Sequence, residues 1–235
     1  MISDSPKNLH IYLLIGQSNM AGRAPLTDEV SGVIDRCYLL NGQDEWEPAQ
    51  NPLNRYSTIR KQLDMQRLGP GYSFARMMLE KDADIQIGVV VNALGGSSIR
   101  EWEKGTHAYD EAIRRTKAAM ESGALKGILW HQGESDSSDE QYLDKLEVLI
   151  ANLRTDLDSP ELPFVAGQVL YDPETRAHTK QINEILAQLP ESVPFTACVM
   201  SDGLTSFDNL HFDTQSALLL GERYAREMQR LLQSQ

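Results

Sequence analysis

Apolar and polar residues fall in alternating blocks along this chain, and the blocks recur in one order. Residues 11–15, Ile-Tyr-Leu-Leu-Ile, form an unbroken apolar run with β-branched ends, the pattern of a strand buried on both faces. Similar short runs lie at residues 37–40, 85–91, 127–130, 164–169 and 195–200. Between them the period lengthens to three or four. Phe74, Met77 and Met78 stripe a helix over about residues 72–82, and a second helix is predicted around 108–121. Tyr142, Leu146, Leu149, Ile150, Leu153 and Leu157 stripe a third, with Ser138 and Gln141 at capping-box spacing before it. Ile182, Ile185 and Leu189 mark a helix over 174–189. Ala217, Leu220, Tyr224, Met228 and Leu231 mark a terminal helix from Asp213. Residues 43–68, polar and interrupted by Pro48 and Pro52, are predicted as the longest loop.

Strands alternating with helices build βα units. The expectation is an α/β fold: one three-layer αβα domain over residues 1–235, with a mostly parallel sheet of about five strands. Right-handed crossovers then gather the post-strand turns on one edge of the sheet, and those turns carry the polar chemistry.

The first such turn is Gly16-Gln17-Ser18-Asn19. A serine at the carboxyl end of a parallel strand sits where ligands bind, with N–H groups of the turn facing any anion. It is also a common helix cap, so Ser18 has two readings. Gly95-Gly96 follows the strand at 85–91; paired glycines let backbone N–H groups approach a ligand, or make an ordinary tight turn. Gln132, straight after the strand at 127–130, offers an amide to an oxyanion or is a satisfied strand-end residue. Before the terminal helix lies Asp208-Asn-Leu-His211, where an Asp precedes a His by three residues. At that spacing a carboxylate reaches imidazole Nδ1 and leaves Nε2 to face a serine, the logic of a hydrolytic triad. A surface Asp and His flanking a helix start is the other reading.

Composition narrows the partners. Lys and Arg number 22 against 34 Asp and Glu, a formal charge of −12, which disfavours nucleic acid and anionic membranes and leaves a neutral substrate unhindered. The first residues lack a basic segment followed by an apolar one, and no apolar run is long enough to span a bilayer, so the expected location is the cytoplasm. Cys37 and Cys198 are expected as buried free thiols, a disulfide between them remaining open. His131, Glu134 and Asp136 lack a metal-binding spacing, and the first glycine turn lacks a P-loop Lys. Neither metal nor cofactor is expected.

Taken together, G-Q-S-N-M at 16–20, G-P-G-Y-S-F-A at 69–75, L-G-G-S-S-I at 94–99, W-H-Q-G-E-S-D at 130–136 and D-N-L-H at 208–211 resemble the SGNH (GDSL-like) hydrolases. They resemble in particular the branch of sialate O-acetylesterases and acetylxylan esterases, in order over residues 11–225. The resemblance implies the flavodoxin-like layering of that family and a serine esterase removing O-acetyl groups from sugars such as sialic acid or xylan fragments. It implies Ser18 as nucleophile, His211 as base and Asp208 as its orienter. The oxyanion donors it implies are the N–H groups of Ser18 and of Gly95 or Gly96, with Gln132 where other branches have Asn. Glu134 belongs to the branch motif as a brace, and Gln17 and Asn19 flank the nucleophile. Arg100 and Trp102, just beyond the glycines, are placed to offer a charged donor and a stacking face to a sugar. A serine in the first turn, without a G-x-S-x-G elbow, separates this chain from the α/β-hydrolases. An SGNH lipase or thioesterase is the alternative enzyme, and a non-catalytic carbohydrate binder the alternative class. Oligomeric state is not legible.

Overall fold

The structure, a computed structural model, describes residues 8–60 and 64–234. The reading of the first residues as lacking a leader, and residues 61–63 of the expected long loop, lie outside the described residues.

The strands are β1 (Leu9–Gly16), β2 (Val33–Leu40), β3 (Trp46–Gln50), β4 (Gln86–Val91), β5 (Ala124–His131), β6 (Phe164–Gly167) and β7 (Thr196–Val199). They form one sheet in the order β3-β2-β4-β1-β5-β6-β7, antiparallel only between β2 and β3. The α/β fold and the mostly parallel sheet are as expected, with seven strands rather than about five. The added edge strand β3 lies inside the stretch expected to be loop. Its Glu47 and Pro48 break any apolar signal, and Pro is tolerated there because an edge strand has N–H groups that need no ladder partner. The Asn41-Gly42 signal is the hairpin turn into it: Asn41 Oδ1 accepts from the N–H groups of Gln43 (2.9 Å) and Glu45 (3.0 Å). Ala49 then buries completely.

The apolar run of β1 splits by its period of two. Tyr12 and Leu14 enter one core with Phe74, Met78, Leu220, Tyr224 and Met228, under α2 (Gly71–Lys81) and α6 (Thr214–Gln233). Leu9, Ile11, Leu13 and Ile15 enter the other with Ala112, Leu146, Leu153, Ile182 and Leu186. That core lies under α3 (His107–Met120), α4 (Tyr142–Asp156) and α5 (Lys180–Ser192). Each large aliphatic side chain so buried contributes about 1.5–3 kcal/mol, which is why β1 anchors both layers. The short helix α1 (Ser18–Ala21) follows it directly.

Two helix starts differ from the periodic reading. The Ser138/Gln141 capping box does not form: Gln141 is itself the N-cap of α4 and makes no side-chain cap bond. The Tyr142 N–H instead donates to the Asp139 carbonyl, and its hydroxyl reaches inward to Gln132. α5 begins at Lys180 rather than near 174, because Asp172 Oδ1 accepts the N–H groups of Glu174 and Thr175 and holds a turn there. By contrast α6 starts where Asp213 foretells, its carboxylate accepting the Ser216 N–H at 2.8 Å.

Cys37 on β2 and Cys198 on β7 are both free thiols, on strands separated by four others, so the open question of a disulfide closes. Among the described residues no helix is long and apolar enough to cross a membrane.

Strand order places the chemistry. Before β5 the chain builds on one side of β1, and from β5 onward on the other. The loops leaving β4 and β5 therefore part above the carboxyl end of β1 and leave a crevice at this switch point.

Candidate active site

Gly16 ends β1 with φ +131°, and its own carbonyl and the N–H of the next residue are tied to the two flanking chain segments. The Gln17 N–H donates to the His131 carbonyl of β5 at 2.8 Å, and the Gly16 carbonyl accepts from Leu94 after β4 at 2.9 Å. The backbone then turns at once into α1, which opens on Ser18. Gln17 occupies the N-cap without a side-chain bond, so Ser18 does not cap the helix. Its hydroxyl lies 3.1 Å from His211 Nε2.

His211 comes from the loop between β7 and α6. Asp208 Oδ1 accepts the backbone N–H groups of Leu210 (3.0 Å) and His211 (2.7 Å), while Oδ2 lies 2.7 Å from His211 Nδ1. The three-residue spacing thus folds the chain around the carboxylate and delivers the imidazole to it. Burial pushes the Asp208 carboxyl up, but the ring bond, the two N–H bonds and the His211 charge together hold it below its ordinary range. The Phe207 ring, 51% exposed, stacks on the imidazole at 6.3 Å.

The glycine pair is not symmetric. A Cβ on Gly95 would lie 3.8 Å from Ser18 Cβ, whereas one on Gly96 would meet nothing within 4 Å. Gly95 therefore flanks the serine. Among the described residues, the N–H groups of Ser18 and Gly95 reach no acceptor of the chain.

Gln132 is fully buried, and its amide hydrogens are already committed. Its Nε2 donates to Gln17 Oε1 (3.2 Å), the Ser97 carbonyl (3.0 Å) and Asp136 Oδ2 (2.5 Å), and its Oε1 accepts from the Tyr142 hydroxyl (2.8 Å). The expected oxyanion donation from Gln132 does not fit this arrangement, because two N–H bonds already serve three acceptors. Its side chain instead ties the turn before Ser18 to the loop after Gly95. Gln17 is likewise engaged from behind and is 3% exposed.

Asn19 and Glu134 form a second brace. Asn19 Nδ2 donates to Glu134 Oε1 at 2.7 Å and to the Leu210 carbonyl at 3.3 Å, and Asn19 Oδ1 accepts the Phe212 N–H at 3.2 Å. One amide thus grips the backbone on both sides of His211. The Glu134 side chain is only 3% exposed, and burial pushes its carboxyl up to about 7. Nearby His131 Nε2 lies 3.9 Å from Glu134 Oε1, but burial pushes that imidazole down to about 3, so the contact is not an ion pair at neutral pH. Both His131 Nε2 and Glu134 Oε2 are buried without a partner.

A stability prediction follows from Glu134. Between its ordinary 4.5 and about 7 the native carboxyl holds a proton that the unfolded one has lost, so its contribution to stability falls as pH rises through that window. Glu134→Gln is neutral at every pH and keeps an acceptor for Asn19. Its stability relative to wild type should therefore rise between about pH 5 and pH 8, by on the order of 3 kcal/mol at most. Paired denaturant titrations at the two pH values measure it, and a difference independent of pH contradicts it.

Two expected substrate contacts fare differently. Arg100 is exposed beyond the glycines. Trp102 is fully buried, its indole N–H donating to Ser97 Oγ at 3.1 Å and its ring packed edge-on against Trp130, so it has no face for a sugar. The aromatic face beside the imidazole belongs to Phe207. Sequence reasoning missed it because a single Phe in a polar loop carries no periodic signal.

Comparison with known proteins gives the family. The profile described as "Carbohydrate esterase, sialic acid-specific acetylesterase" matches residues 8–230. A probable carbohydrate esterase of Arabidopsis thaliana is 34% identical, with 93% of this chain and 89% of the relative covered. An X-ray structure of an Arabidopsis thaliana protein superposes with TM-score 0.85 at 30% identity, covering 96% of this chain and 98% of the other. The NanS crystal structure superposes with TM-score 0.76 at 15% identity over 99% and 100% of the two chains, a likeness of fold. The chain is an enzyme of the SGNH hydrolase fold, and it belongs to the carbohydrate esterase, sialic acid-specific acetylesterase family.

Proposed function

We propose that the protein is a serine esterase, a single domain that removes O-acetyl groups from carbohydrates through an acyl-enzyme on Ser18. The observation that carries this is the unbroken chain Asp208 Oδ2, His211 Nδ1, His211 Nε2, Ser18 Oγ, at 2.7 Å and 3.1 Å. Neutral His211 takes the serine proton as Oγ adds to the ester carbonyl. Asp208 fixes the ring so that Nδ1 carries a proton and Nε2 accepts one. The N–H groups of Ser18 and Gly95 receive the oxyanion. The imidazolium then returns its proton to the departing sugar oxygen, leaving acetyl on Ser18. Water, deprotonated by His211, attacks that ester and releases acetate.

Acyl size separates this reading from a lipase. Ser18 is 6% exposed and His211 8%, with Gly95 beside the serine and the Phe207 ring stacked on the imidazole, and no long apolar trough leads to them among the described cavities. A cavity of about 430 Å³ does open between residues 99–104 and α4, but Ser18, Asp208 and His211 do not line it. Acetyl esters should exceed octanoyl esters by at least about tenfold in kcat/KM, which needs only ~1.4 kcal/mol of discrimination. Rates on p-nitrophenyl acetate and octanoate, with acetate release from an O-acetylated sugar, test it. Preference for octanoate would favour the lipase or thioesterase.

A further inference from the structure

His131 and Glu134 are buried titratable groups that the reaction above does not use. The Tyr224 hydroxyl has one hydrogen and donates it to the Trp130 carbonyl at 2.7 Å. Toward His131 Nδ1, 3.0 Å away, the same oxygen can only accept. His131 therefore carries its hydrogen on Nδ1 and keeps a bare lone pair on Nε2. Gly167 on β6 makes room for this contact, since a Cβ there would lie 2.1 Å from the Tyr224 oxygen and 2.8 Å from Nδ1.

That lone pair meets a carboxyl. Glu134 Oε1 lies 3.9 Å from Nε2 and accepts from Asn19 Nδ2 at 2.7 Å. Among the described residues, His131 Nε2 and Glu134 Oε2 are both buried with no partner. Two acceptors kept from water beside each other are unfavourable, and a hydrogen on Oε2 turns one of them into a donor. An ionised Glu134 would be repelled by the lone pair and drawn to Arg176, the cation that faces it. Arg176 has its Nε buried without a partner and holds the Asn209 carbonyl at 3.2 Å. Asn19 holds the Leu210 carbonyl and the Phe212 N–H. Both neighbours of the carboxyl thus act on the backbone around His211.

We propose that Glu134 works as a carboxylic acid, its Oε2 hydrogen relayed through one water to the His131 lone pair, and that in this form it is a positioning residue for the base. When it ionises, Asn19 and Arg176 shift and His211 leaves its alignment with Ser18. Burial pushes the carboxyl up to about 7, against its own N–H, the Asn19 bond and Arg176, which favour the carboxylate; Asp136 favours the acid. Burial also keeps the Tyr142 and Tyr224 hydroxyls protonated and His131 neutral, so none of them takes the charge instead.

The kinetic readout rests on Ser18 and His211 being the nucleophile and base of an esterase. It compares wild type with Glu134→Gln on p-nitrophenyl acetate, because the glutamine amide offers an oxygen to Asn19 and an N–H to His131 at every pH. The ratio of variant to wild-type kcat/KM should rise at least about tenfold between about pH 7 and pH 9. A ratio independent of pH, as a brace acting by packing alone would give, overturns the proposal. Infrared spectra of the wild type need neither the variant nor turnover. At about pH 6, where ordinary carboxyls are ionised, one carboxylic acid band should be present, and it should vanish by about pH 9; its absence at pH 6 overturns the proposal. If no acetyl ester is hydrolysed, the esterase reading fails instead. The nitrogen NMR shifts of the His211 ring then decide: a change that follows loss of the infrared band supports the positioning role, and indifference to it overturns that role.

Discussion

Ser18→Ala is expected to lower kcat on acetyl esters by about 10³-fold or more while the protein stays folded. The hydroxyl is lost from a residue whose side chain, among the described residues, bonds only to His211, and α1 keeps its backbone bonds from Ala21 and Gly22. His211→Ala should match it, and the double variant should be little worse than either, because nucleophile and base act in one step. Asp208→Asn should cost less than His211→Ala. It keeps an oxygen for the Leu210 and His211 N–H groups but loses the charge that steadies the imidazolium. Wild-type kcat/KM should fall on acidification, since a protonated imidazole cannot take the serine proton, and a rate indifferent to acidification of the folded enzyme would exclude a histidine base. Near wild-type turnover by pure Ser18→Ala would remove the nucleophile assignment altogether. Circular dichroism of each variant separates loss of chemistry from loss of fold.

Gly16→Ala is expected to have the largest effect on folding within the motif. The added carbon would lie 2.2 Å from the His131 carbonyl oxygen and 2.8 Å from the His131 nitrogen, both backbone of the neighbouring strand. Neither can swing aside as a flexible side chain would. At φ +131° the glycine also occupies a region that L-residues rarely adopt. Overpacking alone costs about 1–3 kcal/mol; with backbone strain added, a loss of about 3 kcal/mol or more is the expectation, read as a lower Tm and denaturant midpoint. Because the His131 carbonyl accepts the Gln17 N–H, whatever folded protein remains should also hydrolyse acetyl esters more slowly. Unchanged stability and rate would mean that β1 and β5 part here more easily than their register implies. Gly96→Ala separates the two costs, because a Cβ there meets nothing within 4 Å while φ +73° still strains an L-residue, so it should lose less stability than Gly16→Ala.

Buried strands and helix stripes were legible because each rests on a local period. The run at 11–15 reads as a strand whichever layer receives it, and the stripe from Ala217 to Leu231 reads as a helix face whatever lies beneath. Asp208 and His211 were legible for the same reason: a carboxylate that bonds the N–H groups two and three residues ahead needs only its own loop. Strand β3 was not, since an edge strand with Glu47 and Pro48 exists through its pairing with β2 rather than through its own pattern. The start of α4 was hidden likewise, because it is set by the inward reach of Tyr142.

The site divides along the same line. The motif strings placed Ser18, Gly95, Gln132, Glu134 and His211 at the ends of elements, and local chemistry suggested what each side chain offers. What each one faces depends on contacts between residues far apart in the chain, and such contacts leave no period in the sequence. Gln132 turns its amide to Gln17, Ser97 and Asp136 instead of outward, and Trp102 turns inward against Trp130. Gly95 rather than Gly96 comes beside Ser18, and Arg23 folds back to the same glycine. A fully buried polar group must spend its hydrogen bonds on whatever packing brings within reach. That is decided only when β4, β1 and β5 lie side by side.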